Sequence, residues 1–233
     1  MPPLPTPSEP SRPTQHAPAQ HAPAPHSRMS AEDRRRQLIE VAIDLFSQRG
    51  FAGTTTREIA AAAGVTEAII FRHFATKQDF YKAILDFKCN SEQVGEMVAQ
   101  WQRLMDANDD EGLFRLLITK IIRIYREDTR FERLLLFAAL EGHELARMHH
   151  AQLRLPFGQM FIDYIERRQR EGALRHCDPG LVLCALAGIP QFYAMQKYVH
   201  QCGDPGSDEQ VIDAFMLILM NGLSTKEQNG KNL

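Results

Sequence analysis

Cationic and hydroxyl side chains recur between residues 34 and 77 of this 233-residue chain, at Arg34-Arg-Arg36, Thr55-Thr-Arg57, Thr66, Arg72-His73 and Lys77. Lys and Arg attract phosphate, and residues at the front of a helix laid in the major groove reach base edges. Arg34-Arg-Arg36 reads equally well as a solvated charge run. Metal chemistry has thinner support. His143, His149 and His150 stand near Glu141 and Glu144, but no second ligand set accompanies them, so they read as helix-surface or pocket-rim residues. His176-Cys177-Asp178 reads as a loop. The chain has no G-x-S-x-G, no H-E-x-x-H, no paired Glu-x-x-His and no phosphate-cradling Gly-rich loop, so nothing supplies a nucleophile with its base. No catalytic residue, metal or cofactor is expected, and a helical-fold enzyme is the weaker alternative.

The elements that would position these groups read as helices throughout. Leu38, Val41, Ala42, Leu45 and Phe46 fall on one helical face, opened by the capping box Ser30-Ala-Glu-Asp33 and closed by Gly50. Thr55-Thr-Arg-Glu58 opens a short helix through Ile59, Ala60 and Ala63 that Gly64 stops, and Thr66 caps a third. Thr76-Lys-Gln-Asp79 starts a fourth, which Phe80, Ile84, Leu85 and Phe87 carry on as one long helix past Met97 to Met105. Further helices are expected near 111–127, 130–149, 153–171, 179–201 and 208–225, with Pro190 kinking the eighth. No alternating strand pattern competes. The fold class is therefore all-α, about nine helices: an N-terminal three-helix helix-turn-helix domain over 30–82 and a larger helical domain for ligand binding and dimerisation over 83–233.

The first 28 residues, rich in Pro, Ala and His with one large aliphatic residue, Leu4, are expected to be a disordered tail. His16, His21 and His26 recur there every five residues; they could chelate a metal weakly, or belong to a solvated leader upstream of a true start at Met29. At 44% hydrophobic the chain can bury a sizeable core, and its formal net charge of −2 excludes an overall basic surface. Residues 30–82 hold eight Lys/Arg against seven Asp/Glu, whereas 83–233 hold seventeen against twenty-one. Neither an eighteen-residue apolar run nor a secretory leader is present, which makes the cytoplasm the expected location, with no membrane partner. Cys89, Cys177, Cys184 and Cys202 are far apart and read as reduced thiols, mostly buried.

Thr55–Phe74 reads as helix, turn, helix, the unit that puts one helix into the major groove while its neighbour braces against the backbone. Ile59, Ala63, Val65, Ile70 and Phe74 would form the small core that fixes the angle, and Gly64 can take the left-handed turn conformation. The stretch Gly50-Phe51, Thr55-Thr-Arg-Glu-Ile-Ala60, Ala63-Gly-Val65, Phe71-Arg-His-Phe74 and Lys77 resembles the DNA-binding signature of the TetR family of transcriptional regulators, over about fifty residues from Arg34 to Lys82.

That resemblance implies that Thr66, Glu67, Ala68 and Ile69 face base edges, that Thr55, Thr56, Arg57, Arg72 and His73 lie near phosphate or base, and that Lys77 touches phosphate. Phe71 stands where the family commonly has a phosphate-binding Tyr, and Ala68-Ile69 where it commonly has Gly-Thr, so base readout is reshaped. It further implies a dimer on double-stranded, palindromic operator DNA, released by a small, largely apolar or amphipathic effector. Trp101, Phe114, Tyr125, Phe137, His143 and Tyr164 are the candidate pocket residues. Like Met105, Leu117, Ile121, Leu140, Met160, Phe161, Phe192 and Met195, the apolar ones among them read first as core. Leu181, Leu183, Leu186, Ile189, Phe192, Val211, Phe215, Leu217, Ile218 and Leu219 exceed what one buried face needs, which marks the last two helices as the dimer contact. A ligand-independent DNA-binding protein is the other alternative, and the downstream 150 residues argue against it.

Overall fold

The computed structural model describes residues 29–89, 92–203 and 206–224, and these form eleven α-helices with no strand. In order they are α1 (Ala31–Arg49), α2 (Thr56–Ala62), α3 (Glu67–His73), α4 (Lys77–Cys89), α5 (Glu92–Asp106), α6 (Asp110–Glu127), α7 (Arg130–Leu140), α8 (Glu144–His149), α9 (Leu155–Arg170), α10 (Pro179–Ala194) and α11 (Asp208–Leu223). The tail over 1–28 and its histidines lie outside the described residues. None of the described helices is long and apolar enough to cross a membrane.

Two places account for eleven helices where nine were expected. The helix expected over 130–149 is broken at Gly142, whose φ of 66° is left-handed. There His143 N–H donates to Ala138 C=O at 2.7 Å and Gly142 N–H to Ala139 C=O at 3.2 Å, the paired bonds that close a helix on a C-terminal glycine. The helix expected to run from 76 to 105 is described as α4 and α5, with residues 90 and 91 between them outside the described set. Two five-residue π-helical segments, His150–Arg154 and Met195–Val199, lead into α9 and follow α10. Pro190 sits inside α10, five residues before the second of them.

The apolar faces collect into two clusters. The first takes Leu38, Ile43 and Phe46 from α1, Ile59 from α2, Ile70 from α3 and Phe80 and Ile84 from α4, and it also takes Leu134 and Ala138 from α7 and Leu145 from α8. The second joins Trp101 and Met105 of α5, Phe114 and Ile118 of α6, Phe161 and Ile165 of α9, Leu186 of α10 and Met216 of α11. A linear cut after residue 82 is thus not a cut between cores: α1 lies against α7. Asp110 locks the second body, accepting from Tyr164 Oη at 2.6 Å and from Arg168 Nε and Nη2 at 2.8 and 2.9 Å. Burial and that carboxylate push the Tyr164 phenol well above its ordinary value.

Several side chains expected inside are outside. Leu140 is 85% and Phe192 61% exposed, and Cys177, Cys184 and Cys202 are exposed rather than buried. Leu140 is the last residue of α7, where the Gly142 turn ends the helix before its apolar side can be covered. Phe192 and Cys184 share the outer side of α10 with Leu181 and Ile189: Cys184, Ile189 and Phe192 follow Leu181 by three, eight and eleven residues, each near a whole number of helical turns.

Candidate nucleic-acid interface

α2 and α3 are pinned from beneath. Thr55 caps α2, accepting from Glu58 N–H at 3.2 Å while the Glu58 carboxylate accepts from Thr55 N–H at 2.8 Å, and Arg49 adds an ion pair to Glu58 at 3.0 Å. The turn after α2 closes with Val65 N–H on Ala60 C=O at 3.0 Å and Gly64 N–H on Ala61 C=O at 3.2 Å, and Gly64 takes a φ of 66°. Ile59, Ala63, Ile70 and Phe74 are buried under the pair and Val65 is half-buried, which is the small core the sequence foresees. Arg35 reaches across from α1: its guanidinium lies 4.6 Å from the Phe74 ring centroid and donates to His73 C=O at 3.4 Å. Of the Arg34-Arg-Arg36 run, this member braces α3.

The outward side of α3 carries Thr66, Ala68, Phe71 and Arg72 exposed, with Glu67, Ile69 and His73 half-buried. Thr66 occupies the cap position, but its side chain makes no capping hydrogen bond and stands free toward solvent. Phe71, 52% exposed on a seven-residue helix, is a large apolar side chain with no partner helix over it. Glu67 does not stand free: its carboxylate accepts a short hydrogen bond from Thr56 Oγ1, tying α3 to α2. Arg57 is exposed on α2. Burial, with Arg72, Arg35 and Arg34 nearby, holds His73 below the ordinary histidine range.

Lys77 is placed differently from expectation. Its ammonium is turned inward, donating to Phe51 C=O and lying 3.8 Å from the Phe51 ring centroid, and its pKa is depressed by burial against the opposing pull of Glu141 and Glu58. Phe51, half-buried, is thereby held from several sides. Its N–H donates to Glu141 Oε2 at 3.2 Å, and its ring meets Tyr81 at 4.7 Å, His143 at 4.5 Å and Phe46 at 5.8 Å. Gly50 makes this approach possible: with φ at 72°, a Cβ there would fall 2.2 Å from Glu141 Oε1. Sequence reasoning used Gly50-Phe51 as a signature and weighed Glu141 only beside His143 as a thinly supported metal set. The signal for the latter was Gly142, a C-terminal glycine inside a run otherwise read as one helix.

Residues 38–84, which hold α2, α3 and the helices that brace them, match the family model described as bacterial regulatory proteins, tetR family. Over these residues the chain is similar to the TetR family. Among TetR-family relatives, it is 32% identical over 104 residues to the HTH-type transcriptional regulator AcrR of Shigella flexneri, covering 45% of this chain and 47% of that one. It is 29% identical over 153 residues to the HTH-type transcriptional regulator TtgR of Pseudomonas putida, covering 66% and 64%. The chain thus spans between about half and two thirds of the length of these curated relatives. The TetR-type fold extends further than the sequence likeness. AibR, solved in complex with isovaleryl coenzyme A and operator DNA, superposes with a TM-score of 0.61 at 21% identity, over 79% of this chain and 97% of that one.

In the TetR-type body the six residues expected at a pocket divide. Trp101, Phe114 and Tyr164 come together in the second core, where the Trp101 ring meets Phe157 and Phe161 edge-on at 5.3 and 5.1 Å. Trp101 Nε1 is a buried donor with no hydrogen-bond partner among the described residues. Tyr125 is buried on α6 with its hydroxyl 3.3 Å from Glu132. Phe137 and His143 lie elsewhere, against Gly50 and Phe51 at the loop that leads into α2. A separate open groove of about 550 Å³ runs between α6 and α11, lined by Asp109, Asp110, Arg115, Asp213 and Met216 among others. Among the described residues no group of His, Cys, Asp and Glu is placed to hold a metal ion.

Proposed function

We propose that this chain is a dimeric, ligand-responsive repressor that binds a palindromic operator through α3 and lets go when a small, largely apolar effector enters its second core. The observation that carries the reading is the two-sidedness of α3: Ile70 and Phe74 are buried beneath it, while Thr66, Ala68, Phe71 and Arg72 are presented outward and take no part in the core that holds it. Anisotropy titrations of operator DNA across salt concentrations test it. Arg57→Ala and Arg72→Ala are each expected to weaken binding to all sequences and lower the salt slope by about one. Ile69→Ala is expected to change which base pairs are preferred, because an aliphatic side chain there reads thymine methyls. Lys77→Ala should act through the Phe51 contact, weakening binding with no change in slope. Unchanged slopes in both arginine variants would count against this face.

The pair α10 and α11 supports the dimer. Leu181, Ile189, Phe192, Leu217 and Ile218 are all exposed, while Leu186, Val211 and Leu219 are buried within the subunit. Two such helices from each of two copies make a four-helix contact with a two-fold axis, which sets two recognition helices about 34 Å apart, one turn of DNA.

The effector reading rests on Trp101, Phe114 and Tyr164. An indole N–H buried without a partner favours an effector that brings a carbonyl or ether oxygen into an otherwise apolar site. The AibR structure, with its acyl thioester and DNA together, is a precedent of the same fold. Linkage requires that an effector weakening operator binding some 5- to 150-fold be itself bound that much more weakly by the operator complex, a coupling of about 1–3 kcal/mol. Measuring both factors with medium-chain acyl compounds checks this; unequal factors, or an effector that raises thermal stability and leaves operator affinity alone, would remove the switch.

A further inference from the structure

The α7–α8 turn holds the loop that leads into α2, and α4, which follows α3, through residues that the groove-facing surface does not use. Glu141 accepts from Phe51 N–H at 3.2 Å, and the His143 ring packs 4.5 Å from both Phe51 and Tyr81. His143 is also the cap of α8: its Nδ1 accepts from Leu145 N–H at 3.2 Å, and Leu145 is fully buried in the first core. That bond requires a bare Nδ1, hence a neutral ring with its proton on Nε2. A proton added at Nδ1 would turn an acceptor toward a donor, unseat the cap of a buried leucine and place a second cation beside Lys77.

We propose that the α7–α8 turn is an acid-released clasp on the DNA-reading helices, with protonation of His143 as its trigger. The clasp is a property of the fold, and only its effect on operator binding rests on the function proposed above. The charged and titratable groups around His143 are Lys77 and Tyr81 of α4, Glu141 at the end of α7 and Glu144 of α8, with Glu58 of α2 acting on Lys77. Burial and Lys77 favour the neutral ring; Glu141 and Glu144 oppose them, and the balance leaves the histidine below its ordinary value. A base whose folded pKa is lowered adds stability that is fully present above the unfolded value, about 6.5, and that is lost as pH falls below it. The release window therefore lies in mildly acidic solution.

His143→Asn keeps a side-chain oxygen for the Leu145 N–H and removes the titration. Glu141→Gln keeps an acceptor for Phe51 N–H and removes the charge that favours the protonated ring, so its release should move to lower pH. The readout is the hydrogen-exchange protection of the Phe51 and Leu145 amides in the full chain, corrected for intrinsic exchange, at pH 7.5 and 5.5. In the wild type both should lose protection several-fold between pH 7.5 and 5.5, while His143→Asn stays level. Operator affinity at pH 5.5 relative to 7.5 should fall several-fold more in the wild type than in His143→Asn. His73 sits on the DNA-facing side in both proteins, so its titration cancels in that ratio. Equal pH profiles for the wild type and His143→Asn, in either measurement, overturn the proposal. A protein that binds no operator at any pH, with the exchange difference intact, would strike the DNA-binding reading and support the clasp.

Discussion

Phe192→Asp combined with Ile218→Asp should give a folded monomer that has lost at least 100-fold in affinity for a palindromic operator. The two side chains are 61% and 64% exposed, so neither is needed for the core of one subunit, and the melting temperature of the isolated fold should hardly move. In a two-fold contact the substitutions put four carboxylates into an interface without partners, and each unpaired buried charge costs several kcal/mol. The DNA effect follows from linkage of the half-sites: joining two recognition helices raises the effective concentration of the second, a gain on the order of 10²–10⁴ that a monomer forgoes. Sedimentation at micromolar concentration gives the oligomeric state, and titration of whole and half operators gives the rest. A variant that stays dimeric would show that the partner sits on some other surface. A monomer with undiminished affinity for the whole operator would show that one α3 suffices.

Phe51→Ala is expected to cost about 3 kcal/mol, at the low end of the range for truncating phenylalanine because the ring is only partly buried. Its ring is the common neighbour of Phe46, Tyr81, His143 and the Lys77 ammonium, so truncation opens a space bordered by three elements that cannot all close on it. The variant leaves the Phe51 amide in place, and Glu141 keeps its hydrogen bond, so the loss reads the ring alone. Denaturant titration should show a lower midpoint at an unchanged slope. A loss under about 1 kcal/mol would mean that the loop between α1 and α2 does not unite the two sides of the clasp.

Much of the architecture was legible because the local signals agreed with one another. Ser30 and Thr55 cap the helices they were expected to cap, and Gly50 and Gly64 end α1 and α2. The outward residues of α3 were legible too, since Ile70 and Phe74 fix which side faces in. What sequence could not supply was the third dimension of charged side chains. Lys77 was read for phosphate, Glu67 for base edges and Arg35 for phosphate or solvent, yet each is half-buried and engages Phe51, Thr56 and Phe74 respectively. Periodicity also fails across a break: Leu140 reads as core only if the helix from 130 continues, and Gly142 stops it. Phe137 and His143 were grouped with Trp101 for their aromatic character, and they lie instead against Gly50 and Phe51, at the first core and not the second.

The sharing of α7 and α8 with the first core bears on modularity. A reader of operators is often imagined as a cassette, to be cut from one regulator and grafted onto another. Here the segment ending near residue 89 would leave with Leu38, Ile43 and Phe46 uncovered where Leu134, Ala138 and Leu145 had lain, and with the Phe51 amide missing its carboxylate. A graft that moves the first four helices alone is expected to be sticky and poorly folded, whereas one that carries α7, the Gly142 turn and α8 with them preserves the seam. The transplantable unit of this protein is discontinuous along the chain.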